Sequence, residues 1–112
     1  MRNISIIHAT LGLALLVAAG CFRQDIITTE ISIPQMGSSA CQNAVMRALG
    51  RLDHEAIVKA EFDIDQRIAR VTYDSRRVGL KNIEFVITAA GFDANDEQAD
   101  EESRRQLPEA CR

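Results

Sequence analysis

The sequence predicts an α+β fold in which two helices cover one face of a four-stranded antiparallel sheet, in the order βαββαβ. Three observations predict it. Apolar and polar residues alternate in short runs at 27–33, 57–62, 69–73 and 92–94, the period of half-buried strands. Two longer runs, 41–49 and 80–90, carry apolar residues three and four apart, which is helical spacing. Breakers separate all six: Pro34 with Gly37, Gly50, the polar segment 63–66, Gly79 and Gly91. Six elements in this order make the ferredoxin-like split arrangement.

In the first strand, Ile27, Thr29, Ile31 and Ile33 share one face, opposite Thr28, Glu30 and Ser32. Pro34 ends it and Met36-Gly37 turns the chain. The first helix places Cys41, Val45, Ala48, Leu49 and Leu52 on one stripe, and Ser39 followed by Gln42 reads as a capping box. Gly50 is its stop. The next two strands form a hairpin. Val58, Ala60 and Phe62 are expected on the inner face of one, with Ile57, Lys59 and Glu61 outward; Ala69, Val71 and Tyr73 line the other. Leu80, Ile83, Val86, Ile87 and Ala90 make the second helical stripe, closed by Gly91. Residues 92–94 read as a fourth strand running away from the loop before Cys41. The tail, 95–112, is therefore expected to leave at the far end, loosely held, with a helical turn around 101–106.

The first twenty residues read as an export signal rather than part of the fold: Arg2, then an apolar run over 4–19, then Ala18-Ala19-Gly20. Val17-Ala18-Ala19-Gly20-Cys21 resembles a bacterial lipobox, with Ala18 where Leu is usual. That resemblance implies a lipidated Cys21, a tether over 21–26, and, with Phe22 in the next position, the periplasmic side of the outer membrane. Ordinary signal cleavage would instead release a soluble periplasmic protein. Both routes lead to the cell envelope, where thiols can oxidise.

Size and charge narrow the functional classes. At 112 residues and 46% hydrophobic, the chain holds one small domain. A net charge of −3, 4% aromatic residues and no Trp leave neither a basic footprint nor a stacking surface for nucleic acid. No Ser-His-Asp set, phosphate loop or Cys-x-x-Cys pair is present, so the reading is not an enzyme.

Met36, the pattern Cys41-x-x-x-Val45-x-x-Ala48-Leu49, Val71-Thr72-Tyr73-Asp74 and Ala90-Gly91-Phe92 together resemble the heavy-metal-associated (HMA) domain over residues 27–94. That family includes periplasmic mercury-binding proteins, copper chaperones and modules of metal-pumping ATPases. Its loop is Met-x-Cys-x-x-Cys, and both thiolates hold the ion. Here Cys41 occupies the second position and Ser38 the first. A serine hydroxyl is a hard oxygen with little affinity for Cu(I) or Hg(II). The resemblance implies capture or transfer of a soft heavy-metal ion, exchanged with a donor or acceptor protein. It names Cys41 as a ligand, with Met36, Ser38 and Phe92 supporting the loop.

The residues leave alternatives open. Cys41 lies in the first turn of its helix, where free amides favour a thiolate; it also suits the start of an apolar stripe. Cys111 is the candidate second sulfur. About sixteen residues separate it from Asn95, and extended chain covers about 3.3 Å per residue, ample to return over a small domain. Cys41 and Cys111 could share an ion or form a disulfide, or the tail thiol could meet nothing. Ser38 and Ser39 also serve simply as caps. His54 falls at the pole opposite Cys41. Asp63 and Asp65 suit a hairpin turn better than a soft ion. Phe85 lies off the second stripe and offers an exposed contact. A metal-free interaction module that keeps the fold is the other reading.

Overall fold

The computed structural model describes residues 25–112. The chain forms β1 (Ile26–Ser32), α1 (Ser39–Leu49), β2 (Ile57–Asp63), β3 (Ile68–Asp74) and α2 (Leu80–Ala89). Beyond these come a short α3 (Glu101–Arg105) and a 3-10 turn (Glu109–Cys111). The segments expected as export signal and tether, with Cys21 as the expected lipidation site, lie outside the described residues except for residues 25 and 26.

The sheet is antiparallel in the order β1-β3-β2, so β3 is central and its Ala69, Val71 and Tyr73 are buried. Ile31 stands opposite Ala69 in β1, while Ala60 and Phe62 oppose Val71 and Ala69 in β2. Cross-strand neighbours share a face, and this apolar face meets Val45 and Leu49 of α1 and Ile83 and Ile87 of α2 in one core. The other face is polar: the Thr28 and Thr72 hydroxyls lie 2.8 Å apart and Arg70 Nε donates to Glu30 at 3.0 Å.

Val58 is not on the inner face, contrary to the alternation. The ladder shifts between Ile57 and Lys59, so Ile57 opposes Tyr73 and packs on the core while Val58 is 57% exposed. A bulge adds one residue and reverses the phase of everything before it.

The sheet has three strands, not four. Phe92 and Ala94 are fully buried, as their alternation suggests, yet the chain does not continue as a strand. Asn95 adopts φ 53 and turns it. Its N–H donates to the Ser32 carbonyl at 2.9 Å, and its side-chain Oδ1 accepts the Ser32 N–H at 2.9 Å. One rung beside β1 is thus made half by backbone and half by side chain. A tight turn follows, with Ala94 and Glu97 exchanging backbone bonds of 3.0 and 2.9 Å. The tail consequently folds back toward α1 instead of leaving at the far end.

The last turn of the sheet is charged. Asp74 Oδ1 accepts the Arg76 N–H at 3.0 Å, and the Arg76 and Arg77 side chains reach the same carboxylate at 3.5 and 3.6 Å. The Arg76 amide, then these guanidinium groups, outweigh burial and hold the Asp74 carboxyl below its ordinary value.

Candidate metal centre

The helix that begins the site is capped by Ser38, not Ser39. Ser38 is extended (φ −148, ψ 167) and its Oγ accepts the Cys41 N–H at 3.4 Å; Ser39 is the first helical residue. Two adjacent serines can both cap, and the backbone places the extended residue one position earlier than the Ser39–Gln42 pairing implies. The same Ser38 Oγ lies 3.1 Å from Cys41 Sγ. Ser38 is therefore within reach of both the amide and the sulfur of Cys41.

Cys41 is joined to Cys111 by a disulfide across 70 positions, with Cα atoms 5.5 Å apart. Both residues are buried, at 0% and 1% exposure. Of the outcomes open in the sequence, this is the disulfide. With the bond closed neither sulfur carries a proton, so the Ser38 hydroxyl is the donor toward Cys41 Sγ. The 3.6 Å approach of Cys41 Sγ to the Ala110 carbonyl is then a contact only.

Several residues that the sequence did not single out bring Cys111 here. Gln35, in the loop before Cys41, clamps the segment after Phe92: its Nε2 donates to Asp93 Oδ2 at 2.7 Å and its Oε1 accepts the Asp93 N–H at 3.0 Å. Asp93 Oδ1 accepts the Ala99 N–H at 2.8 Å. Asn95 Nδ2 donates to Glu84 Oε2 at 2.9 Å, tying the turn to α2. Glu84 is buried, and Lys81 Nζ lies 3.2 Å from its Oε1, off the line of a hydrogen bond. Glu97, then Glu84, hold the Lys81 ammonium above its ordinary pKa.

From Asp100 the tail is an arm. Asp100 N–H donates to the Thr88 carbonyl at 2.9 Å, and Asp100 Oδ2 caps α3 by accepting the Ser103 N–H at 3.0 Å and hydroxyl at 2.8 Å. These two bonds hold the Asp100 carboxyl below its ordinary value. Gly91, at φ +106, admits the arm: a Cβ there would stand 2.8 Å from Arg104 N and 2.9 Å from Leu107 Cδ1. The helical turn expected near 101–106 is present as α3. The tail is not loose, because the disulfide fixes its end. Asp100-x-x-Ser103 was the readable signal, a cap-type pattern.

The remaining candidates separate clearly. Met36 and Phe92 are both fully buried in the core cluster that holds Cys41 and Cys111. His54 follows the C-terminal end of α1, away from Cys41. Asp63 Oδ1 accepts the Gln66 N–H at 3.0 Å, a turn role, and Asp65 is exposed. Phe85 is 69% exposed. Among the described residues no group of three or more His, Cys, Asp or Glu is placed to hold an ion. Two sulfurs and a hydroxyl are what the centre offers. Thiolates select soft ions, whereas hard divalent ions need several oxygens.

Comparison with known proteins gives the same frame. Residues 30–93 match the profile described as "Heavy-metal-associated domain". The copper chaperone CopZ of Staphylococcus haemolyticus is 34% identical over 67 residues, 60% of this chain and 96% of that protein. The fold superposes on oxidized MerP from Ralstonia metallidurans with a TM-score of 0.57 at 26% identity, covering 62% of this chain and 94% of the other. A copper-binding domain of the P-type ATPase HMA7 gives 0.56 at 29% identity, covering 61% and 89%. With its profile matched over more than half its length, the chain belongs to the heavy-metal-associated domain family.

Proposed function

We propose that this protein is an exported carrier of a soft metal ion, capturing or transferring it in the cell envelope through the thiolates of Cys41 and Cys111. The observation that carries the reading is the meeting of these two sulfurs at the start of α1. Ser38 stands where the family's loop has its first thiol, and the tail returns a second sulfur to the same place. Two thiolates suffice for an ion content with linear sulfur coordination. Kinship to proteins named copper chaperones makes Cu(I) the first ion to test; the resemblance to periplasmic mercury-binding proteins puts Hg(II) beside it. The ligand is the thiolate, so the disulfide must be reduced before loading. The ion then passes by thiolate exchange to or from a donor or acceptor protein, without turnover. Export rests on residues 1–20, and membrane attachment on a lipidated Cys21.

The test is titration of Cu(I) or Hg(II) into the reduced protein, with Cys41→Ser and Cys111→Ser alongside. Tight one-to-one binding that both substitutions weaken is expected. No tight binding, or binding that neither substitution changes, removes the reading.

The closed, buried disulfide favours a second reading, a metal-free interaction module stapled by Cys41–Cys111, with Phe85 or the sheet as its contact. A thiol count on native protein separates the two. A permanently oxidised pair supports the staple, and a population with two free thiols supports the carrier.

A further inference from the structure

We propose that residues 101–112 form a redox-operated cap over the Cys41 site. The disulfide holds the cap shut, reduction opens it, and a soft ion bridging the same two sulfurs shuts it again. The inference rests on the carrier reading for its last step only. Its ground is how the arm is attached. Among the described residues, no hydrogen bond or ion pair runs from 101–112 to the body while the disulfide is closed. Arg104 and Arg105 pair with Glu101 and Glu102 inside the arm, and Arg112 Nε donates to the Leu107 carbonyl. The backbone bonds of Gln106, Leu107, Cys111 and Arg112 also stay within it. The last polar tie to the body is Asp100 to Thr88. Beyond that point the arm is held by the disulfide, by half-buried Leu107 and by its seat on Gly91.

Close contact at the seat is local, at Gly91, and open space lies beside it. A groove of about 270 Å³ runs along it, lined by Ala44, Arg47, Arg51, Ala90, Gln106 and Leu107 among others. Close packing is what normally holds an element without polar ties. A five-residue helix is far too short to persist by itself. The disulfide is therefore the strongest single tie on the segment, and it contains both sulfurs of the site.

The reaction balances with a dithiol as reductant. Fraying of the short terminal turn first exposes the buried Cys111 Sγ; the reductant's thiolate then attacks it, forming a mixed disulfide as the Cys41–Cys111 bond breaks. Cys41 leaves as a thiolate, beside the Ser38 hydroxyl. The second thiol of the reductant displaces Cys111, and the dithiol departs as a disulfide. Two electrons reach the protein, which then holds two thiols. A soft ion entering between them releases the remaining protons and rejoins the arm to α1.

The experiment is amide hydrogen exchange, followed by mass, of the full protein when oxidised, when reduced by a dithiol, and when reduced and loaded with one equivalent of Cu(I). Exchange in 101–110 is expected to rise at least tenfold on reduction and return toward the oxidised level on loading, with β3 protected throughout. Unchanged exchange on reduction overturns the cap. Opening with ion uptake but no closure also overturns it, because Cys111 then does not bridge. Opening without any ion uptake leaves the redox-operated arm standing and removes the carrier reading instead. Cys111→Ser, which should match the reduced state without reductant, guards against effects of the dithiol itself.

Discussion

The body and the arm of this protein are held by different physics. The body, from β1 through Phe92, is determined many times over. Its backbone is paired along β1, β3 and β2, and its apolar residues close one core. The arm after Asp100 has no such redundancy: a cap, one half-buried leucine, a glycine seat and a disulfide. Damage to the body spreads, while damage to the arm depends on which of few ties is cut. A protein that must keep a scaffold while opening a site needs that contrast.

The contrast can be tested from its strongest point downward. Phe92→Ala, at a fully buried core position beside the arm's root, is expected to cost about 3–5 kcal/mol of global stability in urea denaturation. It should lower the stability of oxidised and reduced protein alike, because it acts on the body. Breaking the disulfide should cost a comparable amount, up to about 4 kcal/mol, since its main effect is to restrict the unfolded chain over a loop of 70 positions. That loss should be the same by reduction or by Cys111→Ser. A markedly larger loss by both routes would mean that the bond maintains native packing in the body, contrary to the division drawn here.

Two smaller cuts lie on the boundary. Asn95→Ala removes the acceptor for Ser32 and the donor to buried Glu84, and leaves a non-glycine residue at positive φ. A loss of about 1–3 kcal/mol is expected. Asn95→Gly relieves the backbone but not the lost bonds, so comparing their denaturation midpoints divides the two contributions. Ser38→Ala removes the α1 cap, worth about 1 kcal/mol. With the disulfide closed, the arm's exchange rates should not change.

How much of this was legible follows the same division. Periods of two and 3.6 mark elements whose residues face one large core, so β1, α1, β3 and α2 appear where Ile31, Val45, Val71 and Ile87 place them. Val58 misled because a bulge changes phase without changing composition. Phe92 and Ala94 alternate as strand residues do, yet their burial is satisfied in a segment that turns at once. The turn depends on Asn95 replacing backbone partners with its own side chain, which no periodicity records. For the site, the reach of the tail allowed Cys111 to meet Cys41 but did not require it. The meeting depends on long-range ties through Gln35, Asp93 and Asn95, each of which looks like an ordinary loop polar residue when read alone.

Acid provides the finest cut, because each region carries one carboxylate whose pKa is lowered in the fold. For Asp74 the chief cause is the Arg76 amide, and for Asp100 the Ser103 amide. A lowered folded value means that the unfolded state binds protons first as pH falls. The stabilisation is therefore complete above the unfolded value, near 3.8, and is lost as pH drops through the folded value below it. Melting curves of the oxidised protein should be flat in this respect from pH 7 to 5 and fall below about 4. Asp74→Asn should flatten part of that fall, since Asp74 ties the end of β3 to the next turn. Asp100→Asn keeps a competent cap residue and acts on a segment outside the body's cooperative unit, so its melting curve should follow the wild type. If Asp100→Asn instead flattens the acid fall as much as Asp74→Asn does, arm and body unfold as one unit in the oxidised protein.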